Sequence, residues 1–578
     1  MMLNGSALFE SHSTDRQERS HVFARPVDEV VATEAGQVQA ALAAVERAVE
    51  QGLHAAGFIC YEAATGLDQA LQTAAPGELP LVYFGLFATK ESLIAWEEGG
   101  DYVLGAWRPS VDQAAYEADI ECIRNHIAAG ETYQVNYTLR LRSEFSGDPR
   151  GLYCNMCRAQ QAAYCAYIDL GRHVLLSASP ELFFRIQGKR CTTRPMKGTR
   201  PRGRWSAEDR QLAKELRQSA KDRAENVMVT DLLRNDLGRI SQVGSVEVAR
   251  LWETERYPTL WQLTSTIESN LRAGVGLTEL ATALFPCGSI TGAPKVQTME
   301  IIAKLEREPR GIYTGCIGYI SPGGEACFNV AIRTAHLDRE KGQLEFGVGG
   351  GITWGSSAAG EYAECLVKAQ ILHTQRPEFE LLETLRCENG VFYLLDQHCQ
   401  RLAAAAAYWD FVFDRERVIE KIEDSVKGLE DRVLKVRLTL SHEGKITVQV
   451  APLSPPAKLR VALAVEKVDS SDPFLYHKTT HRVVYEHQLA ARPECDDVLL
   501  YNERGELTEC CIGNLVLELA GQRYTPPVAA GLLAGTFREE LLARGEICER
   551  TLKIEDLARA DALYLINSVR GWVELELV

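Results

Sequence analysis

The stretch Asp222-Arg-Ala-Glu-Asn-Val-Met-Val-Thr-Asp-Leu-Leu-Arg-Asn-Asp236 has the pattern of a helix with acidic side chains on one face. Asp222 and Glu225 are three residues apart, so a helix from about Lys221 through Leu237 places both carboxylates on the same side. The stretch Gly360-Glu-Tyr-Ala-Glu-Cys-Leu-Val-Lys-Ala-Gln-Ile-Leu372 repeats this spacing with Glu361 and Glu364, followed four residues later by Lys368. We therefore predict two helices with paired carboxylates.

Two interpretations of these carboxylates remain open on spacing alone. Acidic side chains from separate helices that face one cleft suit Mg²⁺, which prefers oxygen ligands and keeps some positions for water or substrate. The alternative is an ordinary surface ion pair, because Glu364 precedes Lys368 by four residues, the favourable order on an exposed helix. Surface pairs are the commoner case in sequences of this kind.

Size and composition indicate a multidomain globular enzyme. A chain of 578 residues exceeds what one hydrophobic core normally serves, so we expect at least two domains. The net charge of −16 argues against a nucleic-acid backbone as the main partner. The first twenty residues lack an apolar signal region, and no run reaches the roughly 18 apolar residues that span a bilayer. We expect a cytoplasmic protein with no membrane partner and with reduced cysteines.

The order of predicted elements indicates a mixed α and β chain with one boundary. From Phe23 to about His373, β-rich runs alternate with amphipathic helices. Around residues 371–378 the periodicity is lost at a proline, so we predict domains at 1–373 and 374–578. Elements with clear signals are helices at 110–130, from Ser206 and at 221–237, and strands at 434–440 and 445–450 joined by a turn at 441–444.

Five motifs between residues 20 and 372 together resemble the chorismate-utilising enzymes, in the order that the family has them. They are Ser177-Ala-Ser-Pro-Glu181, Pro195-Met-Lys-Gly-Thr199, Asp231-Leu-Leu-Arg-Asn-Asp236, Gly288-Ser-Ile-Thr-Gly-Ala-Pro-Lys295 and Ala331-Ile-Arg333. The resemblance implies an α/β sandwich domain. By the same resemblance, Glu225 and Glu364 would hold Mg²⁺ against the substrate carboxylate, with Asp222 and Glu361 in support. The implied substrate contacts are Gln134, Thr291, Tyr313, Arg333, Gly349, Gly350, Gly351 and Lys368.

Lys197 indicates which branch of this family the chain resembles. Anthranilate and isochorismate synthases typically carry alanine in this motif, whereas aminodeoxychorismate synthases carry lysine. In that branch the lysine would attack C2 of chorismate as the 4-hydroxyl leaves, with Glu181 as the general acid. Gln134 stands where water-activating relatives place a lysine, which argues against an isochorismate or salicylate synthase. Gln262 departs from the histidine that many relatives have there.

Three motifs in the tail resemble fold-type IV pyridoxal-phosphate enzymes. They are Tyr476-His-Lys-Thr-Thr480, Leu507-Thr-Glu-Cys-Cys-Ile-Gly-Asn514 and the pattern from His398 to Leu402. The resemblance implies that Lys478 forms the Schiff base and that Glu509 pairs with the pyridinium nitrogen. It also implies phosphate contacts from Arg401, Thr536 and Ser568, and a substrate contact from Thr384, as in aminodeoxychorismate lyases. The tail lacks the N-terminal hairpin of free-standing relatives, and a homodimer through this domain is one way to cover that surface.

The two resemblances together imply synthesis of 4-aminobenzoate for folate. Chorismate would be aminated at C4, and the tail would then release pyruvate.

We find no glutamine amidotransferase pattern, so ammonia is expected from a separate subunit or from solution. The rival readings are an anthranilate synthase large chain fused to an aminotransferase and a chorismate-binding regulatory pseudoenzyme. A pseudoenzyme is expected to have lost some of its catalytic residues. This chain retains all of the candidates, which argues against that alternative: Lys197, Glu181, Glu225, Glu364, Lys478 and Glu509.

Overall fold

The computed structural model describes residues 5–12, 20–92, 99–372, 377–429, 432–454 and 457–578. These residues form two compact units. The first contains the described residues up to Pro201 and from Ala213 to Leu372, and the second contains Arg202–Leu212 and Pro377–Val578. The predicted boundary between residues 373 and 374 lies outside the described residues.

The chain up to Leu372 is a mixture of strands and helices, as predicted. Its strands are β1 (Ala7–Glu10), β2 (His21–Phe23), β3 (Asp28–Ala32), β4 (His54–Ile59), β5 (Val82–Phe87), β6 (Glu91–Ser92), β7 (Tyr102–Leu104), β8 (Arg108–Pro109), β9 (Gln134–Gly147), β10 (Tyr164–Asp169), β11 (His173–Ser179), β12 (Leu182–Gln187), β13 (Arg190–Arg194), β14 (Met196–Pro201), β15 (Glu247–Arg256), β16 (Leu260–Asn270), β17 (Gly292–Ala293), β18 (Cys316–Ser321), β19 (Glu325–Val330), β20 (Thr334–Asp338) and β21 (Gln343–Ile352). Its helices are α1 (Val38–Glu50), α2 (Ala64–Leu67), α3 (Gln113–Ala128), α4 (Pro149–Gln160), α5 (Ser206–Gln218), α6 (Ala220–Gly238), α7 (Leu277–Leu284), α8 (Lys295–Leu305) and α9 (Ala358–Ala369).

Two large, mainly antiparallel sheets form the first unit. Within the described residues, one sheet has the order β17-β9-β21-β20-β11-β10-β1-β2-β6, and the other has the order β14-β16-β13-β12-β19-β18-β4-β5-β3. Phe9 and Phe23 of the first sheet pack with Phe58 and Phe87 of the second in one buried cluster. The sheets therefore lie face to face, which confirms the predicted sandwich.

Helices cover the outer face of each sheet. One core cluster joins α1, α6 and α7 to the sheet that contains β12, and another joins α3, α4, α8 and α9 to the sheet that contains β9. The predicted apolar face of α3 is confirmed, because Tyr116, Ile120 and Ile123 are fully buried. Ser219 caps α6 by accepting the backbone N–H of Asp222, so this helix begins as the sequence indicates.

The second unit contains two smaller sheets within its described residues. Its elements are β22 (Leu381–Glu388), β23 (Val391–Phe392), α10 (Leu395–Trp409), α11 (Arg415–Ser425), β24 (Val433–Leu440), β25 (Ile446–Pro452), β26 (Leu459–Leu463), α12 (Val483–Ala490), β27 (Asp497–Tyr501), β28 (Leu507–Cys510), β29 (Asn514–Leu519), β30 (Gln522–Thr525), α13 (Thr536–Ala543), β31 (Cys548–Glu549), β32 (Ala562–Asn567) and β33 (Gly571–Leu577). The sheet orders are β23-β22-β24-β25 and β28-β27-β26-β33-β32-β29-β30-β31. The two predicted strands on either side of residues 441–444 are confirmed as β24 and β25.

No helix in the part of the chain that the structure describes combines the length and the apolar character needed to cross a membrane.

A buried charge network fixes the backbone at the centre of the first unit. The Arg310 guanidinium donates two hydrogen bonds to Glu306, at 2.7 and 2.8 Å. It also donates to the carbonyl oxygens of Ile290 at 2.9 Å and Asn136 at 2.6 Å. Glu306 in turn accepts the backbone N–H of Thr138 at 2.9 Å. One guanidinium therefore joins α8, β9 and the turn before β17.

We predict that Arg310→Met lowers the free energy of unfolding of the first unit by about 3–5 kcal/mol, because it leaves the Glu306 carboxylate and two carbonyls buried without their donor. Urea denaturation followed by circular dichroism measures this. Arg307→Met is the matched control, since Arg307 is exposed in the same segment. Equal stability of the two variants would contradict the prediction.

Candidate active sites

One cavity of about 600 Å³ in the first unit collects most of the residues predicted for the synthase site. Those that line it are Glu181, Lys197, Asp222, Glu225, Tyr313, Arg333, Gly349, Gly350, Gly351, Glu361, Glu364 and Lys368. Thr291 does not line the cavity, and its buried hydroxyl donates to the carbonyl of Cys287 at 3.2 Å. Its neighbours Ser289 and Ile290, which no sequence argument assigned to the site, do line it.

The cavity receives two carboxylates from α6 and two from α9, as predicted. Asp222 accepts from Arg200 at 2.9 Å, and Glu364 pairs with Lys368 at 2.6 Å. The ion pair that the spacing of Glu364 and Lys368 suggested is therefore present, but both side chains line the cavity. Burial acts to raise the pKa of Glu364, but the positive charges of Lys368, Lys197 and Arg333 together outweigh burial, so that the pKa is lowered. Burial raises the pKa of Glu361. Four carboxylates from two helices at one cavity are a donor set that fits Mg²⁺.

Lys197 lies half-buried in the wall of this cavity, at the start of β14. Loss of solvent around its ammonium lowers its pKa, against the opposing attraction of Glu225. A Cβ atom on Gly351 would lie 2.1 Å from the Lys197 Nζ. Without a Cβ at Gly351, the backbone of β21 passes directly against the amine, and any larger residue there would displace the Lys197 side chain.

Glu181 is buried next to this lysine and has the protonation behaviour of a general acid. Its Oε1 accepts a hydrogen bond from the Ser289 hydroxyl at 2.6 Å. Burial raises the pKa of Glu181 to about 7, although the hydrogen bond from Ser289 and the charge of Lys197 oppose the rise. A carboxyl with this pKa holds its proton in a substantial fraction of molecules at neutral pH.

Gln134 is a buried amide whose polar atoms lack partners. Neither its Nε2 nor its Oε1 has a hydrogen bond within the described residues, and the side chain is fully buried. Its Nε2 lies 2.8 Å from where a Cβ of Gly351 would stand, on the same side as Lys197. An unpaired buried amide costs on the order of 1–3 kcal/mol, which a bound polar ligand would recover. Gln134 does not itself line the cavity, so its contact with a substrate stays a prediction.

Arg333 and Lys368 donate hydrogen bonds to backbone carbonyls beside the cavity. Arg333 has φ of 51°, an uncommon conformation for a non-glycine residue, and its guanidinium donates to the backbone carbonyl of Lys368. The Lys368 ammonium donates to the carbonyl of Gly349 at 2.8 Å. Lys368 thus bonds the glycine-rich strand and Arg333 bonds the last turn of α9, and both line the cavity together with buried Tyr313.

A second group of predicted residues comes together in the second unit around Glu509. Its buried carboxylate accepts from the Tyr485 hydroxyl at 2.8 Å, the Asn514 amide at 3.2 Å and the backbone N–H of Leu533 at 3.2 Å. Burial raises the pKa of Glu509 to about 8. Burial and the nearby Arg401 lower the pKa of Lys478 to about 8. Tyr485 was not predicted from the sequence.

The residues expected at the phosphate are joined by a glutamate that sequence reasoning missed. Glu383 accepts from Arg401 at 2.7 and 2.8 Å and pairs with His398 at 2.7 Å. The other ring nitrogen of His398 lies 2.9 Å from the Ser568 hydroxyl, and the Thr536 hydroxyl lies 3.3 Å from it. These five residues form one network.

Thr384 does not join that network. It follows Glu383 on β22, so its side chain leaves the opposite face of the strand. The remaining set is an amine of lowered pKa, a buried carboxylate, an arginine and two hydroxyls. This donor chemistry fits pyridoxal phosphate, in which an aldehyde, a ring nitrogen and a phosphate each need a partner.

Comparisons with known proteins find a different family for each of the two parts of the chain. Residues 97–374 match the model of the chorismate binding enzyme family, and residues 380–577 match that of amino-transferase class IV. Aminodeoxychorismate synthase component 1 of Salmonella typhimurium is 40% identical over 46% of this chain and 59% of its own length. An anthranilate synthase component 1 of Haloarcula marismortui is 34% identical over 55% of this chain and 72% of its own length.

A solved structure shows the same fold for the first unit. Anthranilate synthase component I of Streptococcus pneumoniae superposes with a TM-score of 0.55 at 24% identity, covering 63% of this chain and 93% of its own. The chain spans between 37 and 59% of the length of the first curated relatives that it matches. The match to the Haloarcula protein and the family model place the chain in the chorismate-binding enzyme family, with a class IV aminotransferase domain following in its last third.

Proposed function

We propose that this protein makes 4-aminobenzoate from chorismate in two steps, one in each half of the chain. Residues 1–373 would aminate chorismate at C4 to give 4-amino-4-deoxychorismate, and residues 374–578 would release pyruvate from that product. The observation that carries the first step is Lys197, whose pKa is lowered in a cavity that also holds Glu181 and four carboxylates.

Lys197 would act as the nucleophile of the first step. Its neutral amine attacks C2 of chorismate, the two conjugated ring double bonds shift from C1=C2 and C5=C6 to C1=C6 and C4=C5, and the C4–O bond breaks. Glu181 gives its proton to the departing hydroxyl, which its pKa of about 7 permits near neutral pH. Ammonia then adds at C4 and the C2–N bond to Lys197 breaks, so the lysine is regenerated.

Mg²⁺ would be held by Glu225 and Glu364, with Asp222 and Glu361 in support. When bound, the ion supplies positive charge for a substrate carboxylate. Arg333, Lys368 and the backbone of Gly349–Gly351 would orient the substrate beside Lys197, and Gln134 would donate or accept the hydrogen bonds that its buried amide lacks.

Ammonia for the first step would come from a separate glutamine amidotransferase subunit or from solution. The Salmonella relative is named a component 1, which supports a partner subunit. The second half would supply the lyase, with pyridoxal phosphate as an electron sink. Lys478 would bind its aldehyde carbon, Glu509 would keep a proton on the ring nitrogen, and Arg401, Thr536 and Ser568 would bind the phosphate. Thr384 would contact the substrate.

A second candidate is an anthranilate synthase fused to an aminotransferase. It is favoured by the Haloarcula relative, which is named an anthranilate synthase component 1. Lys197 argues for amination at C4, since it is the residue that distinguishes the two branches. The position of the amino group on the product separates the candidates.

We predict that Lys197→Met reduces amination of chorismate about a thousandfold or more, because the variant keeps the stem but loses the nucleophile. Conversion of supplied 4-amino-4-deoxychorismate to 4-aminobenzoate should continue at the parent rate. Lys189→Met is the control, since Lys189 is exposed in the turn before β13. Synthase turnover of Lys197→Met within tenfold of the parent would remove the nucleophilic role.

We predict that Lys478→Ala abolishes the visible absorbance of bound pyridoxal phosphate and its fixation by borohydride, while chorismate amination is retained. Mass spectrometry of peptides locates the fixed group. Lys467→Ala provides a comparison at an exposed lysine of the same unit. Borohydride fixation of the cofactor to another lysine in the parent chain would show that the assignment is wrong.

A further inference from the structure

A short segment that follows the Lys197 strand belongs to the second unit. Residues Arg202–Leu212 group with Pro377–Val578, although Arg202 is only five residues after Lys197 in the sequence. The segment contributes the start of α5. Two of its side chains, those of Arg204 and Trp205, contact Tyr476 in the loop Tyr476–Thr480, which carries Lys478.

Arg202 is the centre of this packing. Its guanidinium forms a two-bond pair with Asp209, at 2.8 and 2.9 Å, and only 6 and 7% of the two side chains is exposed. It also donates to the carbonyl of Tyr408 at 3.1 Å and lies 4.3 Å from the centre of the Tyr408 ring. The Tyr408 hydroxyl donates to the carbonyl of Gly203 at 2.7 Å. Arg202 thus orients Tyr408 from two directions.

Tyr408 in turn contacts His477, the residue directly before Lys478. Its ring stacks on that of His477, with centres 4.2 Å apart and 29° between the planes. Trp205 stacks in the same way on Tyr476, at 5.1 Å and 27°. Arg204 donates to the Tyr476 hydroxyl at 3.1 Å. Tyr476 is therefore packed directly against the segment, and His477 is packed against Tyr408, which Arg202 orients.

The other side of the loop is bonded to the backbone near β22. The carbonyl of Lys478 accepts the N–H of Leu382 at 2.9 Å, and the N–H of Thr480 donates to the carbonyl of Glu380 at 2.9 Å. The loop is held between these backbone bonds and the side chains of the segment. A reactive lysine must reach its partner atom within a fraction of an ångström, so support on both sides governs how well it is placed.

We propose that Arg202–Asp209 is a positioning element for Lys478, so that residues encoded within the synthase half set the geometry of the cofactor lysine. This inference rests on the proposed function of Lys478. Arg202, Trp205 and Tyr408 are positioning residues that act through Tyr476 and His477. The pyridoxal-phosphate site consequently depends on a segment that a fragment starting at Pro377 would lack.

The test uses the full chain with Arg202→Met, Arg202→Lys and Trp205→Leu. Pyridoxal phosphate is titrated into each variant, and its visible absorbance gives the dissociation constant and the pH midpoint of the bound form. We expect about tenfold or weaker binding and a shifted midpoint for Arg202→Met, because the lysine is misplaced. Arg202→Lys should recover part of the affinity, and Trp205→Leu should lose a smaller amount. Arg210→Met, at an exposed arginine of α5, should match the parent.

Circular dichroism and thermal unfolding distinguish a misplaced Lys478 in a folded chain from an unfolded chain. If Arg202→Met does not fold, Trp205→Leu is the variant that tests the proposal. The proposal is overturned if Arg202→Met or Trp205→Leu folds and keeps the affinity within twofold and the midpoint unchanged. It is also overturned if Arg210→Met loses as much affinity for pyridoxal phosphate as Arg202→Met, because the effect would then not depend on the contacts of Arg202. A parent chain that binds no pyridoxal phosphate at Lys478 would overturn the proposed lyase function, and this inference with it.

Discussion

The first unit depends on one buried guanidinium. The guanidinium of Arg310 is buried, so water cannot replace any hydrogen bond that it loses. Its bonds to Glu306 and to the carbonyls of Ile290 and Asn136 must therefore all be present in the folded unit. Ile290 and Asn136 line the cavity, and Asn136 belongs to β9, whose neighbour in the sheet is the glycine-rich β21. Ordering the charge network therefore orders two walls of the cavity. The side chains that line it are held by an interior that cannot relax without leaving a charge unpaired.

Both candidate sites keep ionisable groups away from their usual protonation states. Burial raises the pKa of Glu181 to about 7 and that of Glu509 to about 8, and it lowers the pKa of Lys197 and Lys478. In each unit a carboxyl that retains a proton is thus combined with an amine that more readily loses one. Under the proposed function the two carboxyls would have different roles, because Glu181 would donate a proton whereas Glu509 would pair with the ring nitrogen of the cofactor.

Much of the fold and the site could be predicted because their signals are local. The apolar spacing of α3, the acidic spacing of α6 and the alternation of β24 and β25 depend on neighbouring residues, and the structure confirms these elements. The unpredicted features depend on contacts between distant residues. Glu383 meets Arg401 only because β22 packs on α10, and Arg202 meets Tyr408 across about two hundred residues of sequence. The sequence spacing also could not decide whether Glu364 is a metal ligand or a member of an ordinary ion pair on a helix. The structure shows the ion pair with Lys368, and both residues of the pair line the cavity.

The central claim is that one chain converts chorismate to 4-aminobenzoate. The most direct measurement is to incubate the purified protein with chorismate, Mg²⁺, ammonium and pyridoxal phosphate, and to identify the aromatic product by chromatography and mass spectrometry while pyruvate is assayed. The account predicts 4-aminobenzoate and pyruvate in equal amounts. Formation of 2-aminobenzoate would contradict the role given to Lys197, and accumulation of 4-amino-4-deoxychorismate without pyruvate would contradict the role given to Lys478 and Glu509.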